Sequence, residues 1–420
     1  MKILQVHNYY QQAGGEDVVV ATERAVLEQA GHEVLPYTCS NDDIPVAVDG
    51  DWRSRCRAFW RLLRVSGQTI WNHGRYREMR KRLRDDQPDV VHVHNFFPRL
   101  SPSIFWACAA ERVPVVMTLH NYRLLCLNSC LFKTQPDPAL SNTSAHICER
   151  CLTKSFKWPG IRFRCYRGSR AGSATVALMC AVHRWMGTWT RKIDRYVVLT
   201  EFQRQKFIEA GWPADKLHIK PNHVPTPEAK DRAAPSVPHP YALFVGRLAP
   251  EKGVERLLQA WARNRDCWSI KDGHPHLVVV GDGPAAAACR AEAVRLNIER
   301  QVTFLGVQSR DAVLQLMRQA RSLVMPSLWY ETFGLVVMEA GLMGVPSIVA
   351  APGASAELVR DGETGICCDR WNVDAWAEKL QWIFEQPDSA RQLGAKAKAE
   401  YQIQTDEQKA LQAILAVYDL

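Results

Sequence analysis

Residues 1–40, MKILQVHNYY QQAGGEDVVV ATERAVLEQA GHEVLPYTCS, change hydrophobic period twice. Residues 2–7 are a short apolar run, residues 18–30 carry apolar side chains at helical spacing, and residues 33–37 return to a strand-like pattern. Strand, loop, helix, strand is one βαβ unit, and the pattern recurs. Further strands are expected at 90–94, 113–119 and 196–200, separated by helical or irregular stretches. Such alternation predicts an α/β fold on a parallel, doubly wound sheet.

The composition breaks at residues 225–240, where Pro225, Pro227, Pro235, Pro238 and Pro240 crowd together and almost no large apolar residue stands before Tyr241. This segment has the character of an interdomain linker. Beyond it the alternation restarts, with strands at 242–246, 277–281, 302–305, 322–325 and 347–350 and helices at 253–263, 285–296 and 334–343. Residues 373–420 are expected to be helical throughout. The expected organisation is a first Rossmann-like domain over 1–224 with a cysteine-rich insertion at 121–170, the linker 225–240, a second Rossmann-like domain over 241–395, and a helical tail over 396–420. With 420 residues, 47% of them hydrophobic, each half can bury its own core. Ligands of such sheets sit at the carboxyl ends of the strands, so two halves facing across a cleft are expected to share a site there.

The net charge of +9 is unevenly spread. Between Arg53 and Arg84 eleven Arg/Lys residues face a single acid, Glu78, with Trp52, Phe59, Trp60 and Trp71 among or beside them. Two readings stand: peripheral contact of residues 52–84 with an anionic membrane, or a solvated arm whose aromatics pack on the domain. No nucleic-acid motif accompanies the charge, so nucleic acid is not an expected partner. No apolar run reaches the roughly 18 residues of a spanning helix, and residue 2 already opens a strand pattern. The chain is expected in the cytoplasm, at most peripheral to the inner face of the cell membrane. In that compartment thirteen cysteines do not make a disulfide framework. Cys148 and Cys151, two residues apart, match half of a zinc site. Cys126, Cys148, Cys151 and Cys165 together are either a structural zinc site stapling the insertion or free thiols.

The densest chemical signal is residues 326–346, PSLWYETFGLVVMEAGLMGVP. A helix starting near Gly334 leaves the amides of Thr332, Phe333, Gly334 and Leu335 free to meet a diphosphate, and glycine lets the backbone approach closely. Glu331 ahead of that point and Glu339 inside the helix would repel phosphate unless they grip hydroxyls on either side of it. Sugar and ribose hydroxyls fit that role. Arg247, just beyond one strand, and Lys252, just before a helix, place two cations where a diphosphate would lie. In the first half, Gly14-Gly15 follows the first strand and permits close approach to a phosphate or acceptor. His120 closes the strand 115–119 and is expected at the strand-end rim. Asp49-Gly50-Asp51, an acidic pair of metal-binding type, precedes the basic arm and is taken as coincidence.

Gly246-Arg247 with Lys252, the run Val280-Gly281-Asp282-Gly283-Pro284, Glu331 to Glu339 and Gly341 to Pro346 occur in the order shown by family 4 of the retaining glycosyltransferases, which the chain resembles over nearly its whole length. That resemblance implies the GT-B fold and an acceptor-side first domain. It implies transfer of a sugar from a nucleotide diphosphate sugar, with retention and without a metal cofactor, to a saccharide or polyprenyl-linked acceptor in cell-surface polysaccharide assembly. It also implies site roles. Arg247 and Lys252 would bind the diphosphate. Glu331 and the backbone at Phe333, Gly334 and Leu335 would meet the sugar, and Glu339 the ribose. Gly281 and Gly283 belong with the donor site, and His120 would hydrogen-bond a sugar hydroxyl. The chain departs from the family where Asn-Gly-Val-Asp is frequent, having Asn222-His223-Val224-Pro225. A non-catalytic scaffold and a nucleotide-sugar epimerase remain alternatives on the same fold.

Overall fold

The computed structural model describes residues 1–9, 14–40, 64–134, 145–226, 235–268 and 274–419. They form two units, Met1–Leu131 with Cys148–His223 and Glu407–Leu420, and Phe132–Ile147 with Val224–Asp406.

The first unit is built on β1 (Lys2–Tyr9), β2 (Glu33–Ser40), β3 (Val90–Val93), β4 (Val115–Thr118), β7 (Arg195–Val198) and β8 (Leu217–Ile219). They lie in the order β2-β1-β3-β4-β7-β8 and every pairing is parallel. Interior residues of β1 and all of β3 and β4 are buried, as in a sheet covered on both faces. Helix Gly15–Gln29 makes the first crossover and turns Val19, Val20, Glu23, Val26 and Leu27 inward. An acid on that face is out of place in an apolar core, and its partner appears only in the fold. Two-residue strands β5 (Phe132–Lys133) and β6 (His146–Ile147) pair antiparallel as a separate ribbon.

The second unit carries β9 (Tyr241–Val245), β10 (His276–Val280), β11 (Val302–Gly306), β12 (Ser322–Met325), β13 (Ser347–Ala351) and β14 (Gly365–Asp369), ordered β11-β10-β9-β12-β13-β14 and again parallel. Two separate apolar clusters cover it. One gathers Trp261, Trp268 and Phe384, the other Met317, Val337 and Val345. Helix Leu335–Leu342 packs on helix Pro387–Gln404 so closely that a Cβ on Gly341 would stand 2.2 Å from the Tyr401 ring.

The expected strands are present with ends moved by a few residues, and β8 and β14 are additions. Both are short, and neither LHI nor GICCD shows a period of its own. The tail is three helices, Val373–Glu385, Pro387–Gln404 and Glu407–Tyr418. The boundary expected at residue 395 falls inside the second of these, and the third belongs to the first unit, where it buries Ile414, Val417 and Tyr418. Tyr418 is the physical reason, since its hydroxyl meets a buried ring nitrogen of His92 at 2.7 Å.

Candidate active site

In the second sheet the chain leaves β9 toward β10 and β11, then returns to build β12, β13 and β14 on the other side. Connections therefore diverge between β9 and β12, and loops at their carboxyl ends border a natural crevice. The two loops are stitched together, with the Leu328 amide donating to Glu251 O at 2.8 Å. Gly253, at φ +73°, lies so near the Pro326 carbonyl that a Cβ would approach it to 2.1 Å.

This juxtaposition brings Lys252 to Glu331. Glu331 Oε1 accepts from Lys252 Nζ, Ser327 Oγ and Trp329 Nε1, each at 2.7 Å. The Lys252 ammonium also lies 5.3 Å from the Trp329 ring centre. Arg370, buried at the end of β14, donates to Trp329 O at 2.9 Å and stacks over Tyr330, holding the loop's shape. Arg247 is 57% exposed and pairs with Glu251 at 3.2 Å, leaving a guanidinium face open to an anion. Gly334, at φ +128°, starts helix Leu335–Leu342 with no side-chain cap. The helix N-terminus thus keeps its anion-binding character. The Phe333 ring is buried, so this residue offers a ligand its backbone.

Glu339, nearly buried in the same helix, pairs with Arg310 Nη1 at 2.9 Å. Burial raises its pKa, and Arg310 offsets part of the rise. Gly281 and Gly283 have a packing duty of their own. Their positive φ angles fit the backbone of the Arg247 loop, where a Cβ would stand 1.9 Å from Gly246 O and 2.4 Å from Leu248 O.

In the first sheet the connections diverge between β1 and β3, and His7, His94 and His120 mark the ends of β1, β3 and β4. His120 Nε2 is 3.1 Å from His94 Nδ1, and the two rings stack. Behind them the Glu23 carboxylate lies 3.6 Å from His94 and is ion-paired with Lys220. Burial alone would push Glu23 up, but Lys220, then His94 and His120, outweigh it and hold it below its usual value. Burial pushes His120 down to about 3, only partly countered by Glu23, so at neutral pH its imidazole is uncharged. Glu23, His92 and His94 are the one metal-like grouping among the described residues. Lys220 holds Glu23 Oε1, and Tyr418 and Thr118 take both nitrogens of His92, while Glu23 Oε2 faces His94 at 3.6 Å without a hydrogen-bond partner. The cluster is a polar network in the core.

The Gly14-Gly15 loop leads into helix Gly15–Gln29, where Asp17 accepts from the Gly14 amide at 2.8 Å and from His7 at 2.7 Å. Its neighbour Glu16 is raised to about 8 by burial and by the Asp17 charge, with Arg123 pulling the other way.

Among the described residues, the sulfurs of Cys126, Cys148, Cys151 and Cys165 do not gather at metal-ligand spacing. Cys126 donates to Asn128 Oδ1 at 2.8 Å, and Cys130 to Asn128 O at 3.2 Å. Burial raises both Cys126 and Cys151, the latter to about 11, and nearby Cys148 adds to each. Of the basic aromatic arm, Trp52, Phe59 and Trp60 lie outside the described residues. Trp71 takes the packing role, stacked on His183 with ring centres 6.2 Å apart.

Two family models match in tandem, a glycosyl transferase 4-like domain over residues 14–223 and the glycosyl transferases group 1 over residues 226–400. The chain belongs to this glycosyltransferase family. A D-inositol 3-phosphate glycosyltransferase of Mycolicibacterium smegmatis is 31% identical over 236 residues, which cover 54% of this chain and 52% of that protein. The chain spans about half the length of these curated relatives. An alpha-D-kanosaminyltransferase of Streptomyces kanamyceticus is 24% identical over 330 residues, 76% of this chain and 74% of that one. Among solved structures, Anabaena HepE in complex with UDP and glucose superposes with a TM-score of 0.63 at 18% identity, covering 99% of this chain and 98% of that one. This likeness is one of fold, and it matches the two Rossmann-like sheets of the GT-B class.

Glu23, Lys220, Arg310, Arg370 and Ser327 are site residues the motifs did not mark. Glu23 alone had a signal, an acid on the apolar stripe of its helix. Lys220, Arg310 and Arg370 find partners far along the chain, which spacing does not encode, and Ser327 meets Glu331 four residues on through the curl of the loop.

Proposed function

We propose that this glycosyltransferase-family protein transfers a sugar from a nucleotide diphosphate sugar to a hydroxyl of a saccharide or lipid-linked saccharide, with retention and without a catalytic metal, in cell-surface polysaccharide assembly at the cytoplasmic face of the membrane. The Lys252–Glu331 pair at the β9/β12 divergence, with Arg247 beside it, carries this reading. A departing nucleoside diphosphate gains charge as its bond to the sugar breaks. Lys252, Arg247 and the uncapped helix at Gly334 are placed to stabilise that charge, a duty that a metal ion performs in other transferases. Glu331, already gathering three donors on one oxygen, turns its carboxylate toward sugar hydroxyls once Lys252 engages phosphate. Glu339 would hold ribose. His120, kept neutral, would donate or accept a hydrogen bond to the sugar without acting as a base at neutral pH.

Nucleotide release from UDP-, GDP- and ADP-sugars, with and without EDTA and acceptor, tests this directly. EDTA-insensitive, acceptor-stimulated release is expected. Lys252→Ala and Glu331→Ala should each lose about 10²–10³ in turnover. Release that needs no acceptor and returns an epimerised sugar would identify an epimerase, and absence of both binding and release would identify a scaffold.

A further inference from the structure

Between Cys151 and Asp194 stand nine Lys/Arg residues and not one Asp or Glu, although the whole chain has 44 acids for 53 bases. Lys154, Arg162, Arg164, Arg167, Arg170, Arg184 and Arg191 are exposed. The same segment holds helix Arg170–Trp185, whose buried face carries Ser173, Val176, Ala177, Met179, Cys180 and His183. Its outward face is apolar as well. Ala171, Leu178 and Trp185 are exposed at seven-residue intervals, Ala174, Ala181 and Val182 are half-buried beside them, and Trp185 is 88% exposed. A helix on a water-facing surface ordinarily turns charge outward. Here arginines stand only at the two ends, Arg170 and Arg184.

Helix Trp158–Arg162 packs alongside and adds exposed Phe156 and Trp158. Indoles and aliphatic groups ringed by guanidinium groups suit one environment, the boundary between anionic headgroups and acyl chains. A soluble polyanion would engage the cations and leave Leu178, Val182 and Trp185 idle. We propose that this face, residues 154–191, docks the protein on an anionic lipid bilayer. The described part of the Arg53–Arg84 arm packs on another side of this helix, Ser66 meeting Thr175 at 3.0 Å and Trp71 stacking on His183, and leaves Leu178 and Trp185 exposed. The docking does not depend on sugar transfer, because vesicle binding needs no donor.

The test is sedimentation of the full chain with vesicles of phosphatidylcholine alone or with 30–40% phosphatidylglycerol (roughly the content that makes a strongly anionic surface). Binding only to the anionic vesicles is expected, weakening at high salt by screening. The pair Leu178→Ser/Trp185→Ser should bind about tenfold or more weakly. Arg162→Gln and Arg164→Gln should each cost about fivefold. All variants should keep the parent's melting temperature within a few degrees and its release of nucleotide from a soluble donor. Binding unchanged by Leu178→Ser/Trp185→Ser, or no sedimentation at all, would overturn the proposal. So would binding to heparin that tracks the arginines and ignores the apolar pair, which would mark a polyanion surface instead. Loss of donor turnover with vesicle binding intact would strike the proposed activity and spare the docking face.

Discussion

The two sheets end in crevices of the same topological kind, yet they handle charge in opposite ways. In the second unit Arg247 and Lys252 keep part of their side chains in solvent while they pair with Glu251 and Glu331. In the first, Glu23, Lys220, His92 and His94 are sealed in the core and bound to one another. Exposed pairs contribute little to stability and are free to serve binding, whereas a buried charge is strongly destabilising once its partner is removed. One crevice displays cations at its rim, and the other keeps an uncharged imidazole, His120, at its own.

Breaking the buried half should give the largest effect. Glu23→Ala or Lys220→Ala is expected to cost about 3–5 kcal/mol, read by denaturant unfolding, while Glu23→Leu with Lys220→Met recovers most of it. Lys252→Ala tests the opposite prediction. It should shift stability by about 1 kcal/mol or less while removing most turnover, and a large loss of stability instead would erase the contrast. Gly341→Ala probes the support beneath Glu339. Crowding against Tyr401 is expected to cost about 1–3 kcal/mol and to weaken nucleotide binding along with the melting temperature.

The remaining test is one of pH and concerns Glu16. The folded chain keeps its proton to about pH 8, far above the unfolded carboxyl's 4.5. Between those values the native state binds more protons than the unfolded one, so this group makes stability fall as pH rises. Glu16→Gln removes that slope, and its melting temperature relative to the parent should climb from pH 5 to pH 8.5. A flat difference would mean that Glu16 is ionised throughout.

Much of the molecule was legible before folding. Period changes along residues 1–40 and again after the proline-rich break marked two parallel sheets, because buried parallel strands and their crossover helices each leave a pattern in consecutive residues. Arg247, Lys252, Glu331 and Gly334 were legible for the same reason. Each sits within a few residues of a strand end or helix start, where local backbone geometry already determines its position.

What the sequence by itself determined, then, is whatever neighbours in the chain decide: the elements, the loops at their ends and the residue types those loops display. The tertiary structure alone decided which distant groups meet. Lys220 reaches Glu23 across 197 positions and Tyr418 reaches His92 across 326, and the last helix joins the first unit on that account. Inward packing of Trp71 and outward display of Trp185 were equally hidden, since both are tryptophans near arginines in sequence. Burial is a property of the packed surface, and no local period separates a ring that finds a partner in the core from one that finds none.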